Sequence, residues 1–509
     1  MFVVETFNNS VSITGSSGVA VATGLYYYLK KFCNVHVSWS GTQTDCLGKP
    51  PLVPKPIVVK LNGRFRYYQN VCTASYSMVW WNWTRWEQEI DWMALNGINL
   101  PLAFTGQEEI WKRTFLKLGL KQAEIDGFFS GPAFLAWQRM GNFRGFGGPL
   151  PESWHVQQVA LQHRILRRMR DFGMTPVLPA FAGHVPRAVE KLHGPFLAWK
   201  ANDSTMVGTG LTPEGINQND VMFEFMNENA WRSSPVNVSE WIENYALRRY
   251  GKENANATSA WRRLAESVYD LNPATLLKDH GQYTLVVRPS LHLKNKTWYD
   301  PADVYAAWRD LLNAATDSEI AAQETFRYDL VDVTRQSLQL LIDNIYVEIR
   351  NCFWKKTKSA FGRLAVLMTE LFNDLETLLA SDPHFLLGTW LRDARSWGMT
   401  EQESDIYEYN ARNQITLWGP KGEILDYAAK QWSGLVQSYY MPRWELFLKS
   451  LWQSLEEQRP FNDTLFEEQV FKRVEEPFTL RQGAYPTWPQ GESIAISKTL
   501  HRKYGPMLF

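Results

Sequence analysis

The sequence of 509 residues predicts an α/β plus all-α protein in three parts. These are a small α/β N-terminal module, a (β/α) barrel of the TIM type that is incomplete, and a large all-α C-terminal domain. Residues 1–58 combine a helix and a strand with a proline-rich linker, residues 59–235 alternate strands with helices, and residues 236–509 show almost only helical periodicity. We expect these three ranges to be the domains.

The N-terminal module begins with a helix of small residues, predicted from Ser17 to Phe32. An alternating strand follows from Val35 to Trp39. The stretch GKPPLVPKP, Gly48 to Pro56, reads as a linker because proline and glycine interrupt regular structure.

The barrel region alternates predicted strands with predicted helices, which favours a parallel sheet. The strands are Tyr67–Thr73, Ile98–Phe104 and Thr175–Phe181, and the helices are Thr84–Leu95, Gln107–Leu118 and Glu152–Phe172. Eight β/α units need about 250 residues, which this region does not provide, and only about four strands can be identified. A parallel arc of four strands leaves edges and one face uncovered, so part of the barrel is expected to be absent.

From about Ser239 onward the pattern is helical, with Pro and Gly at the connections. The clearest predicted helices are Ala302–Ala314, Gln336–Arg350, Phe361–Leu379 and Leu435–Leu455.

Composition excludes several classes of partner. The chain has 53 basic and 53 acidic residues, so no net field attracts nucleic acid or an acidic membrane surface. No run of 18 apolar residues predicts a membrane span, and the N-terminus lacks the pattern of a signal peptide. The four cysteines have no metal-ligand spacing. Aromatic residues make up 14% of the chain; most must form core, but sugar-binding clefts also use aromatic planes.

Seven N-x-S/T sequons are present, which is modestly suggestive of a glycoprotein. They are Asn8, Asn82, Asn202, Asn237, Asn256, Asn295 and Asn462. Sequons and the missing signal peptide conflict, and a missing N-terminal segment would reconcile them.

Glu214 is the most informative candidate residue. It is the last residue but one of STMVGTGLTPEG, Ser204 to Gly215, in which a short apolar stretch breaks into a glycine- and proline-rich turn. A carboxylate just beyond the end of a barrel strand usually faces the active site. The alternative is an ordinary acidic residue ahead of the helix that begins near Asp220.

Several long strings resemble the α-N-acetylglucosaminidases of glycoside hydrolase family 89. They are YYQNVCTASYSMVWWNWTRWEQEIDWMALNGINLPLAFTGQE, GPAFLAWQRMGN, DFGMTPVLPAFAGHVP, STMVGTGLTPEGINQND and TLWGPKGEILDYAAKQWSGLV. The resemblance implies a small α/β domain, a (β/α)8 catalytic barrel and an all-α domain. It also implies cleavage of terminal α-linked N-acetylglucosamine with retention of configuration, without metal or organic cofactor. In animals these are lysosomal enzymes of heparan sulfate breakdown.

By this resemblance Glu214 is the catalytic nucleophile. The family's second carboxylate, the general acid, lies in an Asn-Glu-Met motif after a central barrel strand, and this sequence has no such motif. The segment that should carry it falls between Val185 and Asn202, where LHGPFLAWK replaces a long stretch of barrel. Asn227 and Glu228 match a different family segment. We therefore expect a chain without its targeting segment and the middle of its barrel, with little or no activity.

Seven further residues match sugar-contacting positions of the family. They are Asn70, Cys72, Trp137, His280, Trp418, Ile424 and Tyr427. Asn70 and Cys72 would end the first barrel strand, Trp137 would form a pocket wall, and the last three belong to a loop that would close the pocket. The alternatives are strand-end packing, a core tryptophan, a surface histidine and a capping loop with aromatic packing.

The expected partner is a glycosaminoglycan or oligosaccharide substrate, with no nucleic acid and no membrane, and the expected location is the lysosome. Two other functions stay open: an interaction module built on the all-α domain, which would form homo-oligomers with full-length protomers, and a non-catalytic sugar binder.

Overall fold

The computed structural model describes residues 1–45, 48–61, 63–178, 207–215, 219–232, 234–270, 283–294 and 296–508. The chain divides into two compact units. Unit 1 is formed by Met1–Gly251 with Ser396–Asn410, and unit 2 by Lys252–Arg395 with Ala411–Phe509.

The N-terminal module opens with a hairpin that the sequence interpretation missed. Strands β1 (Phe2–Phe7) and β2 (Ser10–Gly15) pair in antiparallel fashion. Asn8 and Asn9 between them have φ of 48° and 59°, and positive φ at both loop residues is what a two-residue hairpin turn requires. Strand β5 (Ile57–Val59) pairs with the other edge of β1.

Helix α1 (Gly18–Cys33) confirms the predicted small-residue helix, and the hydroxyl of Ser17 caps it by accepting from Ala20 N–H. The predicted strand that follows is β3 (His36–Ser38), which forms a short hairpin with β4 (Gly41–Gln43).

The barrel region forms a parallel sheet from β6 (Phe65–Tyr68), β7 (Leu100–Pro101) and β8 (Gly208–Leu211), in the order β7-β6-β8. A parallel bridge between Leu102 and Val177 extends it by a fourth segment. The predicted strand Thr175–Phe181 is described only to residue 178. Glycine at 208 allows the close approach of β8, because a Cβ there would lie 2.1 Å from the Phe65 carbonyl oxygen.

The strand order shows which part of the barrel is present. In a closed barrel the last strand lies beside the first. Here β8, last in the chain, pairs with β6, the first parallel strand, and the segment at Val177 lies beyond β7. Numbered by their place in the chain, the four described segments therefore lie side by side in the order third, second, first and last. Only about 30 residues separate Val177 from β8, about the length of a single βαβ unit.

Helices surround this sheet and fill unit 2. The helices between α1 and residue 251 are α2 (Trp83–Leu95), α3 (Gln107–Lys117), α4 (Gln122–Phe128), α5 (Leu135–Arg139), α6 (Glu152–Asp171), α7 (Asp220–Asn229) and α8 (Val238–Tyr250). Those that follow are α9 (Ala255–Glu266), α10 (Pro301–Ala314), α11 (Ser318–Ala321), α12 (Glu324–Trp354), α13 (Lys358–Leu379), α14 (Leu387–Arg395), α15 (Glu401–Gln414), α16 (Met441–Glu457), α17 (Asp463–Val470), α18 (Glu476–Leu480) and α19 (Ser493–Tyr504).

In the described part of unit 2 every named element is helical, which confirms the all-α prediction. The segment predicted as one helix from Leu435 to Leu455 has a wider turn at Val436–Tyr440 before α16. Across the residues for which coordinates are described, no helix is both long and apolar enough to span a membrane.

Helix α7 follows the strand that leads to Glu214, and a buried ionic network fixes it. The Glu224 carboxylate lies 3.0 Å from Arg248 Nη2 and 3.2 Å from His36 Nδ1, and Glu228 Oε1 lies 2.6 Å from Lys30 Nζ. Burial opposes ionisation of Glu224, but the charges of Arg248, Lys30 and His36 outweigh it and hold its pKa well below the usual range. Four elements, α1, β3, α7 and α8, are thereby joined within unit 1.

Candidate active site

A sharp turn follows β6 at the carboxyl end of the parallel sheet. The strand ends at Tyr68 rather than at Thr73, because the Asn70 side chain accepts a hydrogen bond from Cys72 N–H at 2.8 Å and folds the backbone back. A single 3-10 turn, Thr73–Ser75, comes next. Asn70 and Cys72 therefore lie on the turn itself, where β-strand pairing no longer constrains them.

Glu214 lies directly against this turn. It is three residues beyond the end of β8 and is half-buried. The fully buried hydroxyl of Thr73 donates to the Pro213 carbonyl oxygen at 2.6 Å, and the Glu214 carbonyl oxygen lies 3.3 Å from the same hydroxyl. The end of the last strand is thus hydrogen-bonded to the turn after the first strand.

The carboxylate of Glu214 acts on two neighbours. Burial raises the pKa of the Cys72 thiol, and the negative charge of Glu214 adds to that rise. Burial also raises the pKa of the Tyr76 hydroxyl, again with a contribution from Glu214. Cys72 and Tyr76 are therefore protonated, uncharged hydrogen-bonding groups close to a carboxylate.

Trp137 lies beside this group. Its indole N–H donates to the Tyr76 hydroxyl oxygen at 2.6 Å, and its ring stacks on Phe143 with centroids 5.3 Å apart. Trp137 is half-buried.

A buried ion pair supports the turn from the side of β7. Arg139 donates to Glu108 at 2.9 Å and to the Ser75 hydroxyl at 3.0 Å. Burial raises the pKa of Glu108, although the charge of Arg139 opposes that rise. The sequence interpretation did not identify Tyr76, Arg139 or Glu108; the acid in the first turn of α3, just beyond β7, was the available signal for Glu108.

Trp418, Ile424 and Tyr427 lie on one loop of unit 2. The rings of Trp418 and Tyr427 pack edge to face with centroids 5.0 Å apart. Trp418 is 3% exposed and Tyr427 is 39% exposed, so Tyr427 presents the more open ring. Asp426 beside it has a left-handed backbone with φ of 61°, held because Arg443 donates to its carboxylate at 2.9 Å.

The remaining positions raised by the sequence are His280, the segment expected to carry the general acid, and Glu228. His280 and the segment Val185–Asn202 lie outside the described residues. Glu228, which the neighbouring Asn227 makes resemble a general acid, bonds to Lys30 at 2.6 Å, to Arg232 at 2.6 Å and to the indole of Trp241 at 2.7 Å. These contacts make it part of the ionic network of α7.

Taken together, unit 1 brings Glu214, Asn70, Cys72 and Trp137 to the carboxyl edge of the sheet. One half-buried carboxylate, uncharged hydrogen-bonding groups and an indole wall suit a polar ligand with an apolar face. A single carboxylate at this edge can act as a nucleophile or as an electrostatic stabiliser.

Three family models match the chain. The alpha-N-acetylglucosaminidase (NAGLU) N-terminal domain matches residues 1–54, the tim-barrel domain matches residues 66–196 and 192–233, and the C-terminal domain matches residues 241–503. The barrel model matches in two pieces that meet at residues 192–196, within the segment where the sequence suggested a deletion.

Relatives agree with these matches. The chain is 38% identical to the alpha-N-acetylglucosaminidase of Homo sapiens over 666 aligned residues, covering 97% of this chain and 89% of that protein. Because 666 exceeds the 509 residues of the chain, the relative contains residues without a counterpart here.

Solved structures show the same fold. A family 89 glycoside hydrolase from Clostridium perfringens, bound to 2-acetamido-1,2-dideoxynojirimycin, superposes with a TM-score of 0.88 at 25% identity, covering 99% of this chain and 76% of that one. A form of that enzyme with two glutamates replaced by glutamine is bound to its substrate GlcNAc-alpha-1,4-galactose; it has a TM-score of 0.88 at 24% identity, with coverage of 100% and 77%.

Proposed function

Because the chain belongs to the α-N-acetylglucosaminidase family of glycoside hydrolases, we propose that unit 1 carries half of a retaining catalytic centre, with Glu214 as its nucleophile. The supporting observation is the position of Glu214: it follows the last strand at the carboxyl edge of the sheet and is bonded to the turn that holds Asn70 and Cys72. Asn70, Cys72 and Trp137 would contact the sugar.

The chemistry of the substrate requires a protein carboxylate. In an α-linked N-acetylglucosaminide the 2-acetamido group is not trans to the leaving oxygen and cannot attack C1 from behind. The Glu214 carboxylate would instead form the bond to C1 as the bond to the leaving oxygen breaks, giving a glycosyl ester of inverted configuration. Water would then hydrolyse the ester with a second inversion, so that the configuration is retained overall.

The second carboxyl group, which protonates the leaving oxygen and later activates water, has no counterpart motif in the sequence. General acid–base catalysis contributes about 10²–10⁴-fold, and we propose that turnover of natural substrates is reduced by at least this factor. The proposed substrate class is terminal α-linked N-acetylglucosamine on an oligosaccharide or glycosaminoglycan such as heparan sulfate, and the proposed location is the lysosome.

A donor that needs no general acid tests this proposal. Dinitrophenolate leaves without a proton, so a dinitrophenyl α-N-acetylglucosaminide should form the glycosyl ester, and mass spectrometry should locate it on Glu214. Azide needs no general base, so it should speed release and give the α-azide, with configuration retained. An unactivated alkyl glycoside should react far more slowly. Turnover of that alkyl glycoside at the rate of a full-length relative would contradict the proposed impairment.

Variants separate the role of Glu214 from general effects. Glu214→Gln should form no ester, whereas the matched control Glu240→Gln, an exposed glutamate on α8, should react as the unaltered chain does. Glu214→Ala with azide should give the β-azide, because azide then attacks C1 directly and only one inversion occurs. An α-azide from Glu214→Ala would remove Glu214 from its role.

A further inference from the structure

We propose that Tyr76 is a positioning residue of this sugar pocket: its hydroxyl joins the Trp137 wall to Cys72 and so fixes both relative to Glu214. This rests on the proposed function, because Cys72 and Trp137 are taken to contact the sugar. Tyr76 would act through these two side chains.

The hydrogen-bond directions lead to this role. An indole N–H can only donate, so the Tyr76 oxygen accepts from Trp137 in the 2.6 Å bond. The tyrosine proton is then available to the Cys72 side chain, and interaction with the Tyr76 hydroxyl lowers the pKa of that thiol against the larger rise caused by burial. Burial keeps Tyr76 and Cys72 protonated, and both are less than one-tenth exposed. The proposed arrangement is a one-way chain from indole to hydroxyl to sulfur.

Other contacts hold Thr73 and Ser75 of the turn. Thr73 bonds to the peptide of Pro213, and Arg139 bonds to Ser75. Stacking on Phe143 sets the plane of the Trp137 ring, whereas the bond to Tyr76 sets its distance from Cys72. Tyr76→Phe removes only the oxygen atom and leaves two buried polar groups without this partner, which should weaken ligand binding about tenfold.

The chain contains a matched control. Cys33 is also buried, and it contributes to the raised pKa of Tyr28, whose hydroxyl donates to the Pro51 carbonyl oxygen at 2.8 Å. Tyr28→Phe therefore removes a hydroxyl near a second buried cysteine of the described residues, in the N-terminal module. The two variants should affect different thiols.

The first measurement is the rate of alkylation by iodoacetamide, resolved by peptide mass mapping. Tyr76→Phe should lower the rate at Cys72 several-fold, because the reactive thiolate loses a hydroxyl that lowers the pKa of Cys72, and should leave Cys33 unchanged; Tyr28→Phe should leave Cys72 unchanged. An equal rise at both thiols in Tyr76→Phe would indicate general loosening, and an unchanged rate at Cys72 would indicate no linkage. Either result would overturn the proposal.

The second measurement is calorimetric binding of 2-acetamido-1,2-dideoxynojirimycin, the compound held by the Clostridium perfringens enzyme. Tyr76→Phe should bind about tenfold more weakly than the unaltered chain, and Tyr28→Phe should bind equally well. Equal affinity in Tyr76→Phe would overturn the positioning role. If the unaltered chain does not bind, the proposed sugar pocket fails, and alkylation still decides whether Tyr76 holds Cys72.

Discussion

Replacing Asp343 by asparagine should abolish a pH-dependent cost to the stability of unit 2. Asp343 lies on α12, is 3% exposed and accepts from Thr284 N–H at 3.0 Å. Burial raises its pKa to about 7 from the ordinary 3.8, although the hydrogen bonds from Thr284 oppose the rise. Asparagine keeps the accepting oxygen and cannot ionise.

The sign and size of the effect of Asp343 on stability follow from proton linkage. Because the pKa is higher in the folded state, the folded chain holds a proton that the unfolded chain has lost between pH 3.8 and about pH 7. Stability is therefore fully present below the unfolded pKa and falls as pH rises through the folded pKa. At about 1.4 kcal/mol per pH unit, Asp343 costs about 4 kcal/mol at neutral pH and almost nothing near pH 4. The buried Asp343 carboxyl therefore contributes to making unit 2 more stable at acidic pH than at neutral pH.

Urea unfolding followed by tryptophan fluorescence measures this directly. The free energy of unfolding of Asp343→Asn should exceed that of the unaltered chain by about 4 kcal/mol at about pH 7 and match it near pH 4. Asp332→Asn is the control, since that carboxylate lies on the same helix and is 42% exposed; its pH dependence should follow that of the unaltered chain. Parallel pH dependence in Asp343→Asn and the unaltered chain would refute the reasoning.

Three further outcomes are expected. Glu224→Gln removes one of the two carboxylates that balance the buried charges of Lys30 and Arg248 and should lower the stability of unit 1 by up to about 3–5 kcal/mol, measured by calorimetry, whereas exposed Glu240→Gln should change it by less than about 0.5 kcal/mol. Arg443→Met should cost unit 2 a similar 3–5 kcal/mol, because Asp426 and Glu475 lose their buried partner; an unchanged unfolding temperature would contradict this. Expression through a secretory pathway should glycosylate the exposed sequons, with mass lost on enzymatic deglycosylation: Asn8, Asn82, Asn237, Asn256 and Asn462.

Hydrophobic patterning predicted where the elements lie but not where strands stop. The α1 and α2 boundaries differ by one residue from those expected, because capping residues mark helix ends. Strand β6 ends five residues early, since the Asn70 side chain bonds to the backbone of Cys72. The β1–β2 hairpin, which the sequence analysis did not predict, carries a signal in the alternation around Asn8 and Asn9.

The residues of the candidate site fall into those that the sequence indicates and those that it does not. Glu214 was recognisable because a strand followed by a turn gives it a position at the sheet edge. Tyr76 and Arg139 were not, because their roles depend on contacts with residues 61 and 31 positions away, Trp137 and Glu108. Local periodicity carries no information about such pairs. Burial of Trp418 behind Tyr427 also depends on a left-handed loop that the sequence does not indicate.

The position of the expected deletion would account for which half of the proposed catalytic centre remains. The pairing of β8 with β6 belongs to the seam where the barrel would close, and it does not depend on the middle strands. Loss of those strands therefore leaves the contact between Thr73 and Pro213, and with it the setting of Glu214. By family resemblance the general acid follows a central strand, so the same loss would remove it completely. A deletion confined to the middle should thus leave ester formation from activated donors while suppressing every step that needs proton transfer.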